Sequence, residues 1–298
     1  MDYERRVCDY EGSSYQTDFW VGQGREYEDL AERIALRHLV PPSGQRLLDI
    51  GAGFGRLAEF YSGYDQVVLL DYSRSLLRQA RSRLGDRDRF RYVAANFYSM
   101  PFLPGSFDTA IMVRVMHHVE KVPDLLSEVG RVLAGEGTYV LEFASKRHLK
   151  SIVRYALGRQ QWSPFEPEPY EFVEMNFDFH PAWMRDHLVQ AGFHVNHQRT
   201  VSHFRLALFK RFVPARVLAS LDGLCQPTGS LWQLTPSVFV QCVAGNSGSS
   251  FPSSSFFCCP VCGSVLLQEQ ADLVGCGGCG RHWPIEDGIY NFKNPLPV

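Results

Sequence analysis

The chain has 298 residues, which is enough for one large domain or two unequal ones. Lysine plus arginine (30) nearly balance aspartate plus glutamate (32), and this net charge of −2 argues against a globally basic nucleic-acid binder. A composition of 45% hydrophobic and 21% charged residues indicates a sizeable core and excludes a wholly disordered chain. No apolar run reaches the roughly 18 residues that a membrane-spanning helix needs, and no apolar signal core follows the first residues. We therefore expect a cytoplasmic protein whose cysteines are free, catalytic or metal-bound rather than paired in disulfides.

Helix and strand patterns alternate along the chain. Apolar residues at helical spacing from Tyr27 to His38 predict a helix ahead of the first strand. Further helices are predicted after Gly55, after the N-cap Ser73, from Pro123 and over residues 181–191. Short apolar runs predict seven strands, which cover residues 46–50, 67–70, 91–94, 110–113, 138–143, 193–196 and 237–243.

This alternation predicts an α/β fold with a doubly wound, mostly parallel, seven-stranded Rossmann-like sheet and helices on both faces. Ligands bind such sheets in the crevice beyond the carboxyl ends of the strands. A Gly/Ser-rich stretch that begins at Gly245 is typical of a flexible linker. We predict a first domain over residues 1–244, a linker over 245–256 and a small C-terminal domain over 257–298.

A glycine-rich loop at residues 51–55 follows the first predicted strand and Asp49. Glycine lets a backbone approach a ligand closely, and Asp71, at the end of the second strand, can accept two hydrogen bonds from a ribose diol. The dinucleotide fingerprint would need its third glycine where Arg56 stands, and Asp49 would repel a pyrophosphate. An ammonium group would suit Asp49, and S-adenosylmethionine has an ammonium group, a ribose diol and a positive sulfonium, so it is favoured over NAD. Taken alone, the glycine motif is equally typical of an ordinary tight turn.

Residues from about 46 to 143 resemble the class I S-adenosylmethionine-dependent methyltransferases, specifically the type 11 group. Segments 48–55 and 70–73 match the first two family motifs, and 96–102 with 106–108 match the adenine-loop pattern. Later motifs match 115–118, 126–133 and 135–137. The resemblance implies that the first acid contacts the methionine end of the cofactor, that the second acid binds the ribose and that Tyr72 lies beside the adenine. The implied cofactor-binding residues are Asp49, Gly51, Ala52, Gly53, Gly55, Asp71, Tyr72, Asn96 and Phe97.

Asn96 departs from the family pattern, which usually has aspartate at this position. Its side-chain oxygen can still accept a hydrogen bond from the adenine amino group. We therefore expect weaker electrostatics at this position rather than a loss of cofactor binding.

The residues that would assist methyl transfer are less evident than those that would bind the cofactor. Transfer from a sulfonium is an in-line displacement, so the alignment of the acceptor matters most. Arg114, His117 and His118 follow the fourth predicted strand and are candidates for catalytic roles, with a loop or helix-cap role equally open for the histidines. Glu142 and His180 are weaker candidates.

Three further segments could cover a substrate. Trp20, Arg25 and Tyr27 could form a lid over the cofactor or belong to a helix that packs on the sheet edge. The aromatic-rich residues 145–180 fall where this fold usually places its substrate cover and suit an apolar or planar acceptor, although aromatic residues are more often plain core. The basic amphipathic stretch 203–217 could touch a membrane surface or an anionic substrate, or it could form a solvated helix face.

Two CxxC pairs lie in the C-terminal tail, at Cys259/Cys262 and at Cys276/Cys279. Each pair offers two thiolates on a tight turn, and four thiolates complete a tetrahedral, structural zinc site. Cys258 is an alternative to Cys259, but only Cys259 has the CxxC spacing. A tail of about 40 residues is too small to fold on a hydrophobic core alone, so we expect metal to supply its stability. A disulfide-paired or reactive cluster is the alternative.

The segment Trp283–Ile289 resembles the small zinc-ribbon proteins that act as activating partners of RNA, tRNA and translation-factor methyltransferases. Tyr290 stands where that pattern ends in proline. The resemblance implies a zinc-ribbon accessory domain that is carried in cis. We therefore predict a methyltransferase with a small-molecule acceptor. An RNA methyltransferase that grips phosphates with the ribbon, which the near-neutral charge disfavours, and a non-catalytic cofactor-binding scaffold are the alternatives.

Overall fold

The computed structural model describes residues 6–12, 24–85, 88–245 and 256–297. The α-helices in these ranges are α1 (Glu26–Leu39), α2 (Arg74–Leu84), α3 (Val122–Val132), α4 (Leu149–Ala156), α5 (Pro181–Gln190), α6 (Ala207–Phe212) and α7 (Ala215–Cys225). The strands are β1 (Gly44–Ile50), β2 (Tyr64–Asp71), β3 (Phe90–Ala94), β4 (Phe107–Met112), β5 (Leu133–Ala144), β6 (Tyr170–Val173), β7 (Asn176–Asp178), β8 (Phe193–Val201), β9 (Ser237–Ala244), β10 (Leu267–Glu269), β11 (Leu273–Cys276), β12 (His282–Glu286) and β13 (Ile289–Asn291).

Seven of these strands form a mixed sheet in the order β3-β2-β1-β4-β5-β9-β8. Strands β1 to β5 run parallel to one another, whereas β9 is antiparallel to both β5 and β8. The parallel register places Asp49 opposite Leu69 at the carboxyl ends of β1 and β2. The prediction of an α/β, Rossmann-like, mostly parallel sheet is therefore confirmed, and the crevice beyond the strand ends is where a ligand is expected.

The sheet does not stop at seven strands. β13 pairs in parallel with β3, with Ile289 opposite Tyr92, and β12, β11 and β10 follow, so that the sheet has eleven strands. The expectation of a seven-stranded sheet beside a separate ribbon was wrong in this respect. β3 would otherwise be an open edge with unpaired N–H and C=O groups, and the C-terminal segment supplies the pairing that it lacks.

Helices cover both faces of the sheet. α3 and α5 bury Leu126 and Leu188 against one face, and α1, α2 and α7 bury residues such as Leu36 and Leu77 against the other. All four leucines are fully buried, and each contributes about 1.5–3 kcal/mol of hydrophobic stabilisation relative to an exposed side chain. A rigid two-sided core of this kind holds the strand ends, and hence the crevice, in place.

The C-terminal segment belongs to the same core as the first domain. Phe257 stacks on Phe102 with ring centroids 5.9 Å apart, and the backbone N–H of Leu103 donates to the carbonyl of Phe256 at 2.8 Å. Trp283 is fully buried in the same cluster as the strands of the main sheet. The tail, which was expected to have too little core of its own, packs on the core of the main sheet.

One local expectation differs from the structure. The residues after Gly55 form turns and a short 3₁₀ helix over Ala58–Tyr61 rather than an α-helix, because three glycines at 51, 53 and 55 hold left-handed backbone that interrupts a helical start. The aromatic-rich segment contains α4 and the β6–β7 hairpin.

Trp20 and most of the predicted linker, residues 246–255, lie outside the described residues. In the ranges that the structure describes, no helix has both the length and the apolar content to cross a membrane.

Candidate functional site

A cavity opens at the carboxyl ends of β1, β2 and β4, on the side of the sheet where the fold predicts a ligand. The glycine loop forms its floor, and the segment after β4 forms one wall. The N-terminal segment contributes Cys8 and Tyr10, which sequence motifs did not indicate. Of the residues expected to bind a cofactor, those that line it are Asp49, Gly51, Ala52, Gly53, Asp71, Tyr72 and Phe97.

Asp49 lies within β1 and is buried, with 4% of its surface exposed. Its carboxylate accepts a hydrogen bond from the hydroxyl of Tyr61 at 3.0 Å. Burial raises the pKa of Asp49 from its ordinary value near 4 to about 7. A buried acid with a raised pKa at the wall of a cavity is a good partner for a ligand cation, since the cation would restore its charged form.

Asp71, the last residue of β2, has both carboxylate oxygens in hydrogen bonds to backbone N–H groups. Oδ2 accepts from Gly53 at 2.8 Å, and Oδ1 accepts from Ser73 at 2.8 Å. Burial nevertheless raises the pKa of Asp71 to about 6. Each carboxylate oxygen has a further lone pair, so the group can also accept hydrogen bonds from a diol in the cavity.

Two glycines of the loop differ in their surroundings, although both have left-handed backbone, with φ of 72° at Gly51 and 54° at Gly53. A Cβ atom on Gly51 would lie 2.2 Å from Cγ2 of Val115. A Cβ atom on Gly53 would meet no atom of the described residues within 4 Å. Gly51 is therefore required by packing, whereas Gly53 keeps space open where a ligand would approach.

Two expected cofactor residues do not line the cavity. The side-chain oxygen of Asn96 accepts a hydrogen bond from the backbone N–H of Tyr98 at 2.9 Å and so supports the turn. A Cβ atom on Gly55 would face Leu84 at 3.0 Å, so this glycine packs against α2.

The C-terminal segment reaches the rim of the cavity. The ammonium of Lys293 lies 3.8 Å from the ring centroid of Tyr72, and it pairs with Asp9 at 3.3 Å. No sequence motif indicated Lys293, because its contact with Tyr72 depends on the pairing of β13 with β3. The C-terminal segment thus helps to hold a side chain that lines the candidate cofactor site.

Arg114 is held in a buried ion-pair network. Its Nε donates to Oε1 of Glu32 at 2.8 Å, and Arg56 donates to Oε2 of the same fully buried carboxylate at 2.9 Å. The network ties α1 to the two loops that line the cavity, and the two arginines lower the pKa of Glu32 against the effect of its burial. These bonds favour a positioning role for Arg114 over direct contact with a substrate.

His118 lines the cavity, whereas His117 does not. Nδ1 of His118 donates to the carbonyl of Met175 at 2.8 Å, and Nε2 accepts from the hydroxyl of Tyr10 at 2.9 Å. Burial lowers the pKa of both histidines, so both are neutral at pH 7. His118 is thus a fixed, neutral side chain at the cavity wall.

The remaining candidates have identifiable structural partners. Glu142, on β5, accepts hydrogen bonds from the backbone N–H of Arg114 at 3.0 Å and from the hydroxyl of Ser237 at 2.7 Å. His180 caps α5, since its Nδ1 accepts from the N–H of Ala182 at 3.2 Å. Tyr27 is buried, and its hydroxyl donates to Asp222 on α7. Tyr27 therefore belongs to a helix that packs on its neighbours and not to a lid over the cofactor.

The four cysteines of the CxxC pairs come together at one point. Their sulfur atoms all lie within 4.8 Å of one another. Backbone N–H groups donate to the thiols of Cys259 and Cys276, at 3.3 Å from Cys262 and 3.3 Å from Gly278. The thiol of Cys258 points elsewhere, to the carbonyl of Phe102 at 3.1 Å. Four sulfurs in a tight cluster on two turns have the donor set that structural zinc prefers.

Comparison with known proteins finds a similarity for the glycine loop and its surroundings. Residues 48–141 match the family model described as a methyltransferase domain. The chain is 36% identical over 114 residues to 24-methylenesterol C-methyltransferase 2 of Oryza sativa subsp. japonica, which covers 37% of this chain and 31% of that relative. It is 28% identical over 151 residues to a malonyl-[acyl-carrier protein] O-methyltransferase of Legionella pneumophila, covering 49% of this chain and 50% of the relative.

A third relative is the ubiquinone/menaquinone biosynthesis C-methyltransferase UbiE of Paracoccus denitrificans, which is 33% identical over 113 residues. The match covers 36% of this chain and 45% of that relative. The chain therefore spans between about a third and a half of the length of these three relatives.

Solved structures share the fold. An S-adenosylmethionine-dependent methyltransferase from Mesorhizobium loti superposes with a TM-score of 0.54 at 23% identity, covering 72% of this chain and 97% of that chain. A chain from the Haloferax volcanii complex that contains the Trm112 methyltransferase activator superposes with a TM-score of 0.52 at 19% identity, covering 77% and 97%.

Proposed function

We propose that the chain is an S-adenosylmethionine-dependent methyltransferase. The observation that carries the proposal is the pair of acids, the buried Asp49 and the partly buried Asp71, which line one cavity together with the glycine loop. The cofactor has an ammonium group, a ribose diol and a positive sulfonium, and the two carboxylates of the cavity suit the ammonium group and the diol. The match of residues 48–141 to a methyltransferase domain supports the same activity.

Within this proposal the lining residues bind different parts of the cofactor. Asp49 pairs with the ammonium group, Asp71 accepts hydrogen bonds from the ribose hydroxyls, and Tyr72 with Phe97 contacts the adenine. When bound, the cofactor supplies an electrophilic methyl group on sulfur. The chain then has to align an acceptor with that methyl group and exclude water. An in-line displacement depends more on the alignment of the acceptor than on acid or base catalysis.

We propose a small-molecule acceptor. The relatives named above are a sterol methyltransferase, a quinone-pathway methyltransferase and a malonyl-[acyl-carrier protein] methyltransferase. The net charge of −2 speaks against RNA, whose binding depends mainly on phosphate contacts by cationic side chains.

We also propose that Cys259, Cys262, Cys276 and Cys279 hold a structural zinc ion and that residues 257–298 form a zinc-ribbon accessory domain. The clustered sulfurs support the metal, and the pairing of β13 with β3 supports a stabilising role in cis. The Haloferax volcanii complex in which a similar fold occurs contains the Trm112 methyltransferase activator, which is consistent with that role.

The activity can be tested by incubating the full chain with methyl-labelled S-adenosylmethionine and a metabolite extract. We expect label in a small-molecule product with the wild type and none with Asp49→Asn. Label in an added RNA fraction would support the RNA alternative. Binding of S-adenosylhomocysteine without any labelled product would support the non-catalytic scaffold.

A further inference from the structure

A second cavity, with a volume of about 890 Å³, lies outside the cofactor site. It is a groove between α4 on one side and, on the other, the segment that follows β8 together with the loop that precedes β9. Its volume is in the range of cavities that hold small organic ligands. The proposed methyl-transfer site does not use this groove.

Apolar side chains form both walls of the groove. Leu149 and Val153 on α4 and Leu157 directly after it recur every four residues, and they are 59%, 47% and 62% exposed. Leu206 and Trp232 contribute to the opposite wall, and each is 59% exposed. Large apolar side chains with this exposure on two facing walls are typical of a binding groove rather than of a solvated surface.

Cationic side chains accompany this apolar lining. Lys150, Arg154, Arg159 and Arg205 line the groove, and none of its lining residues in the described part of the chain is an aspartate or a glutamate. Burial, together with Lys150, Arg205 and Arg154, lowers the pKa of the adjoining His148 to about 4. The groove is therefore an electropositive environment, in which an anion is favoured.

A buried hydroxyl is also available in the groove. Ser202 lines it and is 2% exposed, and its Oγ has no hydrogen-bond partner among the described residues. Buried hydroxyls are nearly always paired, so an unpaired one beside a cavity is suited to a polar group of a ligand.

Hydrogen bonds connect the lining of the cofactor cavity to a residue next to the groove. Glu142 accepts one hydrogen bond from Arg114, which lines the cofactor cavity, and another from Ser237, which follows the groove-lining Pro236. A single buried carboxylate thus connects the lining of the cofactor cavity to the residue that follows the groove-lining Pro236.

We propose that this groove binds one molecule of an anionic amphiphile, which is a compound with a single apolar chain and a carboxylate or phosphate group. The apolar walls hold the chain, and Lys150, Arg154 and Arg159 hold the anionic group, whereas Arg205 pairs with Glu28 at 3.8 Å. Because apolar and cationic side chains line the same groove, a neutral hydrocarbon would leave the cations without a partner and a short anion would leave the apolar walls uncovered. Neither is therefore the preferred ligand.

The test uses the full chain and a dansyl-labelled undecanoate as the fluorescent probe, with its methyl ester as the uncharged comparison. We expect one binding site, with affinity for the ester about tenfold weaker because a charge-assisted contact is lost. Val153→Asp should weaken binding of both probes. Arg154→Gln combined with Arg159→Gln should weaken the acid about tenfold and leave the ester unchanged.

Matched controls lie on α5, outside the groove. Val189→Asp, at a position that is 57% exposed, and Arg185→Gln should leave both probes unaffected. Wild-type affinity in the groove variants, equal affinity for acid and ester, or displacement of the probe by acetate at an equal concentration would each overturn the proposal. Titration with S-adenosylhomocysteine tests the methyltransferase proposal separately, since neither result depends on the other.

Discussion

The buried carboxylate of Asp49 lowers the stability of the folded chain at neutral pH and is suited to bind a cationic group of a ligand. Its pKa in the folded chain, about 7, exceeds its ordinary value near 4, so the native state binds more protons than the unfolded state between these two values. Its contribution to stability is therefore full at pH values below about 4 and is lost as the pH rises through 7. A bound ammonium group would reverse this effect by favouring the charged carboxylate.

Asp49→Asn should therefore stabilise the chain in the absence of a ligand. We expect the free energy of unfolding at pH 8 to rise by at least about 1 kcal/mol, because a buried charge is removed. The gain should shrink as the pH approaches 4. Urea unfolding at pH 8 and pH 4.5 measures it, and a loss of stability at pH 8 would show that the hydrogen bond from Tyr61 outweighs the cost of burying the charge.

The two glycines of the loop provide a matched pair of substitutions. Both Gly51→Ala and Gly53→Ala place an alanine in left-handed backbone, which costs about 1–2 kcal/mol. Only Gly51→Ala adds an overlap with Val115 and should cost about 1–3 kcal/mol more. Gly53→Ala should mainly weaken binding of S-adenosylhomocysteine. Equal losses in urea unfolding would refute the packing role of Gly51.

At the scale of elements, the pairing of β13 with β3 joins the C-terminal segment to the main sheet. Ile289, the first residue of β13, is 2% exposed and packs in the core cluster that contains Leu69 and Tyr92. The pairing also places Lys293 next to Tyr72. An element that comes late in the chain thus supports the rim of a cavity that is built from early strands.

Ile289→Ala should lower the free energy of unfolding by about 2–4 kcal/mol, because a core side chain is truncated. Leu296→Ala, at a position that is 40% exposed, is the control and should change it by less than about 0.5 kcal/mol. Urea unfolding would measure both values. A negligible effect of Ile289→Ala would mean that β13 is not docked on β3 in solution.

The local patterns of the sequence were enough to predict the main strands. The apolar runs at Leu47–Ile50 and Val67–Leu70 are buried on both faces, as continuous apolar runs predict, and the glycines after β1 mark the turn. The position of Asp49 and Asp71 at one cavity follows from the parallel register of those two strands. This part of the candidate site could therefore be predicted from the sequence.

Contacts between distant segments could not be predicted in the same way. The ion pairs of Glu32 with Arg114 and Arg56 join parts of the chain that no local pattern connects. The pairing of Ile289 with Tyr92 depends on the docking of a whole subdomain. The inward orientation of His118 depends on Tyr10 and on the hairpin that carries Met175, neither of which has a motif.

At the scale of the whole molecule, the first domain and the C-terminal segment share one sheet and one hydrophobic cluster. Phe256, Phe257 and Trp283 belong to the same cluster as the strands of the main sheet. Aromatic side chains of this size contribute much of the burial in any core. We therefore expect one cooperative unfolding transition rather than two.

Removal of zinc should affect the whole chain. Purified protein should contain one zinc ion per chain, and Cys262→Ser should lose it and lower the melting temperature by at least about 5 °C. Cys258→Ser is the control, because the Cys258 thiol bonds to Phe102 rather than to the cluster, and it should keep the metal. Elemental analysis and calorimetric melting test both statements. Absence of stoichiometric metal in freshly purified wild type would contradict the zinc site.

The central claim, that the cavity between Asp49 and Asp71 binds the sulfonium cofactor, is tested most directly by isothermal titration calorimetry of the full chain. We predict that S-adenosylhomocysteine binds with a stoichiometry near one and that Asp71→Asn weakens this binding at least about tenfold, through the loss of charge-assisted hydrogen bonds to the ribose. NAD should not bind measurably. Tight binding of NAD, or no binding of S-adenosylhomocysteine to the wild type, would contradict the account.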